Sequence, residues 1–187
     1  MKKLFLILAA ASLGGSTLFA QQDPQFTQFM YDRLSVNPAY AGSSESWCAT
    51  VIGRQQWSGF AGQPNTGLLN ISGPIPSIKS GIGATVYLDE LGPQSVTAVR
   101  LAYAYHLKLG GAARLGLGVS LGMLNSSLSN DWRAYDYIDG NLQGIGTGAG
   151  DPSIPQNSQT ASTFDASFGV YLHHPDYYAG VSAVHLN

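Results

Sequence analysis

From Ala98 to Met123 the chain alternates side chains with a period of two, and the alternation survives a turn. Val99, Leu101, Tyr103, Tyr105, Leu107 and Leu109 fall on one face, with Ala98, Arg100, Ala102, Ala104, His106 and Lys108 on the other. Gly110-Gly111 follows, a pair able to take the positive φ values of a tight hairpin. Leu115, Leu117, Val119, Leu121 and Met123 then alternate with Arg114, Gly116, Gly118, Ser120 and Gly122. Only strands give neighbouring residues opposite faces. The chain must therefore build a sheet with one large apolar face and one small face.

The same period runs through Gly81–Leu88 and Thr163–Leu172, and more weakly through Trp47–Trp57, Gly67–Gly73 and Tyr177–Leu186. About seven strands result, several of them ten residues or longer. Soluble strands have a mode of about five or six residues, whereas transmembrane strands need about 9–11. Charged residues make up 11% of the chain, against about 25% in typical soluble domains. A surface that poor in charge suits a chain bathed partly in lipid. The net charge of −2 argues against nucleic acid, which demands a basic stripe.

Connection lengths alternate as well. Pro74–Lys79, Gly110-Gly111 and His174–Asp176 are short; Ser58–Pro64, Asp89–Gln94 and Leu128–Thr160 lie on the opposite side, and the last is long. Short periplasmic turns facing longer outer loops mark an outer-membrane barrel. Trp47, Trp57, Tyr103, Tyr105, Tyr177 and Tyr178 near strand ends fit its aromatic girdles. A secreted β-sandwich also alternates, but strand length, low charge and turn asymmetry favour the barrel. The expected fold is an all-β, antiparallel transmembrane β-barrel, partial, with about seven strands after one short helix.

Residues 1–20 read as a signal peptide: Lys2 and Lys3, an apolar run Leu4–Leu13, and a small residue at Ala20, with cleavage expected after it. The apolar run is too short to span a bilayer. The chain is therefore expected to be exported to the outer membrane. Cys48, the single cysteine, has no internal partner and reads as a small strand residue.

Residues 21–43 form the second expected unit, a helix and turn; 44–187 form the third, an incomplete barrel. Asp23 caps, Pro24 suits a first helical position, and Phe26, Phe29, Met30 and Leu34 recur at helical spacing. Asn37, preceding Pro38, ends the run. This predicts an amphipathic helix of about two and a half turns, too short to stand alone. It is expected in the barrel mouth or on the periplasmic rim, as a plug or docking element.

"DPQFTQFM" with "NPAYAGS", then "GRQQWSGFAGQPNT", then "GIGATVYLDELGP" resemble the N-terminal half of the PorP/SprF family, outer-membrane β-barrels of the type IX secretion system. Asp151-Pro152 is similar to an element of that family's long loop. Asp32-Arg33 stands where the family commonly has Asn-Pro, and the family's barrel is longer. An odd strand count and a sheet with open edges in lipid add to the expectation of a fragment.

No pattern calls for an enzyme. His173 and His174 are adjacent and point to opposite faces, so they cannot chelate together, and His185 adds no spacing typical of a metal site. Asp136, Asp139 and Gly140 lack calcium-loop spacing. Gly116, Gly118 and Gly122 precede no helix, so they make no dinucleotide loop; on a strand they let another element approach closely. No Gly-x-Ser-x-Gly elbow is present. No catalytic residue, cofactor or metal is therefore expected.

The resemblance implies a secretion or surface-attachment component. Its partners would be other type IX components and secreted proteins with a C-terminal sorting domain, gliding adhesins among them. Expected partner-binding residues are Trp132, Tyr135 and Tyr137 in the long outer loop, with Phe26, Phe29 and Met30 on the helix. The alternative is a porin-like channel or small-solute transporter, against which the small, Gly-rich inner face argues.

Overall fold

A computed structural model describes residues 28–59, 62–129 and 157–186. Seven strands follow one another in space as in sequence, every neighbouring pair antiparallel. They are β1 (Cys48–Gln55), β2 (Asn65–Ile75), β3 (Ser80–Leu91), β4 (Gln94–Gly110), β5 (Ala113–Leu128), β6 (Gln159–His173) and β7 (Tyr178–Ala183). Strands β4, β5 and β6 run 17, 16 and 15 residues, well beyond the ~9–11 that cross a hydrocarbon layer. No described helix is long and apolar enough to cross a membrane.

The alternation resolves as expected. Leu101, Leu121 and Met123 stand 65%, 55% and 63% exposed on the outer face, while Ala98, Ala102 and Ala104 are buried on the inner one. Aliphatic residues facing outward, with small ones inside, invert a soluble protein's pattern and match a wall in lipid. Trp47, Tyr103 and Tyr105 stand exposed toward the short-turn end. Trp47 lays its ring over Gly73, where a Cβ would overlap it.

The register sorts the inner face into tiers. Pro74, Gly81, Ala104, Gly118, Gly169 and Ser182 share one rung across β2–β7. Ser72, Gly83, Ala102, Ser120 and Ser167 form the next. Asn70, Thr85, Arg100, Gly122 and Asp165 form a third, which is polar.

The sheet curls around the N-terminal segment. Ser35 Oγ lies 3.5 Å from Asn70 Oδ1 on β2, and Ser182 Oγ on β7 donates to Val36 O at 2.7 Å. A flat sheet would hold β2 and β7 about 24 Å apart, five strand spacings. Consecutive residues can touch both only where the sheet bends into a half-barrel, with the segment on its concave side.

Three sequence expectations are revised. The N-terminal segment is not one continuous helix. A 3₁₀ turn covers Phe29–Tyr31, α1 covers Arg33–Val36, and a second 3₁₀ turn covers Pro38–Tyr40. Asp32 and Asn37 break the run by accepting from the backbone N–H groups of Ser35 and Ala39. Short polar side chains compete with helix continuation in this way. Second, the β3–β4 connection is shorter than Asp89–Gln94: Leu91 pairs with Gln94, leaving Gly92-Pro93 as the turn, with Gly92 at φ +56°. Third, Tyr178 serves no outer girdle, because Arg33 sits over its ring, 4.7 Å from the centroid.

Candidate functional site

The segment from Asp32 to Gly42 lies across the strands inside the half-barrel, and the small tier makes this course possible. Val36 O meets Ser182, and Asn37 Nδ2 donates to Val170 O at 3.0 Å. A Cβ at Gly169 would strike Asn37, one at Gly118 the backbone of Pro38 and Ala39, and one at Gly81 the backbone of Ala41 and Gly42. His106 Nε2 lies 2.9 Å from Ala41 O. The segment thus follows one rung from β7 to β3, each step resting on a residue too small to hold it off the wall. Leu34 drops onto Gly83 in the next tier and forms the core with Ala41, Ala102 and Ala104.

Deeper in, Asp32 reaches the polar rung. Its carboxylate accepts from Asn70 Nδ2 as well as from the Ser35 backbone, and Thr85 donates to Asn70 Oδ1 at 2.6 Å. Burial raises the Asp32 carboxyl above its usual value, opposed by the donations of Ser35 and Asn70 and by the charge of Arg100. On the same rung, Arg100 Nε stands 2.8 Å from Asp165 Oδ2, the two side chains 12% and 4% exposed. The approach lies off the N–H axis, so charge rather than an aligned hydrogen bond holds the pair. His185 Nδ1 approaches the other Asp165 oxygen at 3.2 Å.

Toward the short-turn mouth, Arg33 is clamped by aromatic rings. It sits over Tyr178 and 5.8 Å from the Tyr40 centroid, and its Nη1 lies 3.5 Å from Tyr171 Oη. Tyr40 meets Tyr171 edge-on at 5.5 Å.

The anticipated site residues fall in different places. Phe29 and Met30, on the first 3₁₀ turn, are 66% and 53% exposed; neither packs into the wall as Leu34 does. Phe26, Trp132, Tyr135 and Tyr137 lie outside the described residues, as do Asp136, Asp139, Gly140 and Asp151-Pro152. Among the described residues no group of three metal-ligating side chains occurs. His173 stacks on Tyr171, and His174 on Tyr177.

The Asp32–Asn70–Thr85 and Arg100–Asp165 contacts were not anticipated from sequence. Their signal was present: Arg100 and Asp165 are charges on the inner parity of long strands, where a charge needs a partner. The partner itself depends on register.

An outward aliphatic wall, a small-residue inner face and a chain segment laid inside it define a membrane β-barrel with an internal element, here seen as a half-barrel. The chain belongs to the PorP/SprF family, type IX secretion system membrane proteins, whose family model matches residues 18–187. That family resides in the outer membrane. Searches among curated proteins and among solved structures returned no match.

Proposed function

We propose that this chain aids secretion, or cell-surface attachment, of partner proteins that carry a type IX C-terminal sorting domain, gliding adhesins among them. Family membership supports the secretion role. The observation that carries the finer reading is the occupied concave face. A segment fixed by Asp32, Leu34, Asn37 and Ala41 lies along the concave face that a diffusion channel would keep clear. The same segment leaves Phe29, Met30 and Tyr31 exposed, three large apolar side chains that a docking face would use. In this reading residues 1–20 direct export and are removed after Ala20, and Phe26 extends the docking face.

The test replaces Phe26, Phe29 and Met30 together by Asp in the full-length protein. Heat-modifiable gel mobility reports the barrel, and surface labelling of the secreted partner reports function. The barrel is expected to form while partner retention falls. Normal retention would remove the segment from the docking role. Steady conductance of the purified protein in planar bilayers would favour the channel reading instead.

A further inference from the structure

At the short-turn mouth the register places three basic side chains side by side. Lys108 on β4 pairs with Arg114 on β5, and Arg114 pairs with His173 on β6. Like charges directly opposite one another destabilise a sheet, so the Lys108–Arg114 pair carries a cost that the fold does not require. Beneath it, the three residues join Arg33 and Tyr40 in lining a cavity of about 380 Å³. The guanidinium of Arg33 is held in place by Tyr40, Tyr171 and Tyr178. No carboxylate approaches Arg33 or Lys108 within 4.0 Å among the described residues. Among the described residues, the one carboxylate lining the cavity is that of Glu45. It touches Arg114 at 3.2 Å from a side chain 84% exposed, and leaves Arg33 and Lys108 uncompensated.

We propose that this cavity is a binding site for an acidic peptide segment of a partner protein, its Asp or Glu carboxylates filling the place that Glu45 only partly occupies. Arg33 donates from Nε to Met30 O and from Nη1 to Tyr171 Oη, which leaves Nη2 to meet one carboxylate, and its aromatic clamp has already removed much of its rotamer freedom. Lys108 and Arg114 add point charges at the rim. The volume exceeds that of an isolated phosphate group and suits more than one side chain. The mouth lies at the end that short turns assign to the periplasm, so such a partner approaches from that side. The site is distinct from Phe29 and Met30, and the inference does not depend on which secreted protein is served.

The probe is fluorescein-labelled hexa-aspartate, titrated by anisotropy at low ionic strength against the full chain extracted in neutral detergent. Hexa-lysine serves as the control. Binding of hexa-aspartate alone is expected. Lys108→Gln and Arg33→Gln are each expected to weaken it about tenfold, the scale of one lost charged contact. Glu45→Gln is expected to tighten it by removing the internal competitor. Lys108 is exposed and Glu45 lies at the rim, so these two variants report binding even if Arg33→Gln disturbs the segment. Unchanged affinity in Lys108→Gln and Glu45→Gln would overturn the proposal. Displacement of the peptide by inorganic phosphate, or by phosphatidylglycerol vesicles at matched charge, would overturn it too, since the site would then belong to phosphate.

Discussion

Arg100 on β4 and Asp165 on β6 meet across the intervening strand, Nε to Oδ2 at 2.8 Å. The position between them on β5 is Gly122, in register with both. A Cβ there would crowd the Arg100 side chain. The pair spans two strand intervals because the strand it crosses has no side chain at that rung. Asn70 and Thr85 continue the rung to β2, where Asp32 of the luminal segment joins it. One row of polar side chains therefore ties the wall together and ties the segment to the wall.

Breaking that pair on one side should cost more than replacing both members. Asp165→Ala leaves a guanidinium buried without its partner, which costs about 3–5 kcal/mol. Arg100→Met with Asp165→Leu removes both charges and should retain most of the stability. Urea midpoints of heat-modifiable mobility would compare them. Equal loss in single and double variants would show that the pair does not act as a unit.

Gly118→Val should displace the luminal segment without dissolving the sheet. The new side chain would occupy the place of the Pro38–Ala39 backbone, and overpacking of this kind typically costs about 1–3 kcal/mol. An Ala39→Cys reporter, fully buried in the parent, should resist a water-soluble maleimide there and react in the Gly118→Val background. Protection in both would place the segment elsewhere.

The two faces should fail in different ways. Leu101→Arg puts a charge on the outer wall, at about 2–4 kcal/mol near the bilayer midplane, and should reduce membrane insertion. Ala102→Arg faces inward against Leu34 and should instead expose the Ala39→Cys reporter while insertion persists. Insertion lost equally in both would refute the facing.

Replacing Trp132, Tyr135 and Tyr137 together by Ala should lower surface retention of a secreted partner and leave barrel abundance unchanged. Aromatic rings dominate protein contacts, and these three are close together in sequence, between β5 and β6. Retention at the parental level would exclude the loop from partner contact.

Asp32 should give stability a measurable pH dependence. Burial lifts its folded value above the usual 3.8, so the folded state keeps the proton longer than the unfolded state. Its contribution is then complete below 3.8 and is lost as pH rises through the raised folded value. Asp32→Asn retains an oxygen that can accept from Ser35 and Asn70 but does not titrate. Between pH 3.8 and neutrality the urea midpoint of the parent should fall relative to that of Asp32→Asn. Parallel curves would mean that Asp32 is not desolvated.

The sequence alone determined the sheet, its two faces and most strand positions, because a strand's period is a local property of neighbouring residues. The hairpin at Gly110-Gly111 was equally legible: both glycines take positive φ, Gly111 in the turn and Gly110 beside the register shift that ends β4. Motifs in the first half of the chain carried the family. The glycines at 116, 118 and 122 announced a close approach but not what would approach. That was decided by register, which aligned Gly81, Ala104, Gly118 and Gly169 into one shelf, and by the curl that wrapped this shelf around residues 36–42. The luminal segment shows the limit most directly. Apolar spacing favoured one helix burying Phe29 and Met30 with Leu34, yet Asp32 and Asn37 found partners on strands 38 and 133 residues away in sequence. Hydrogen bonds to a distant wall outweighed a marginal local helix, and only the assembled sheet could supply them.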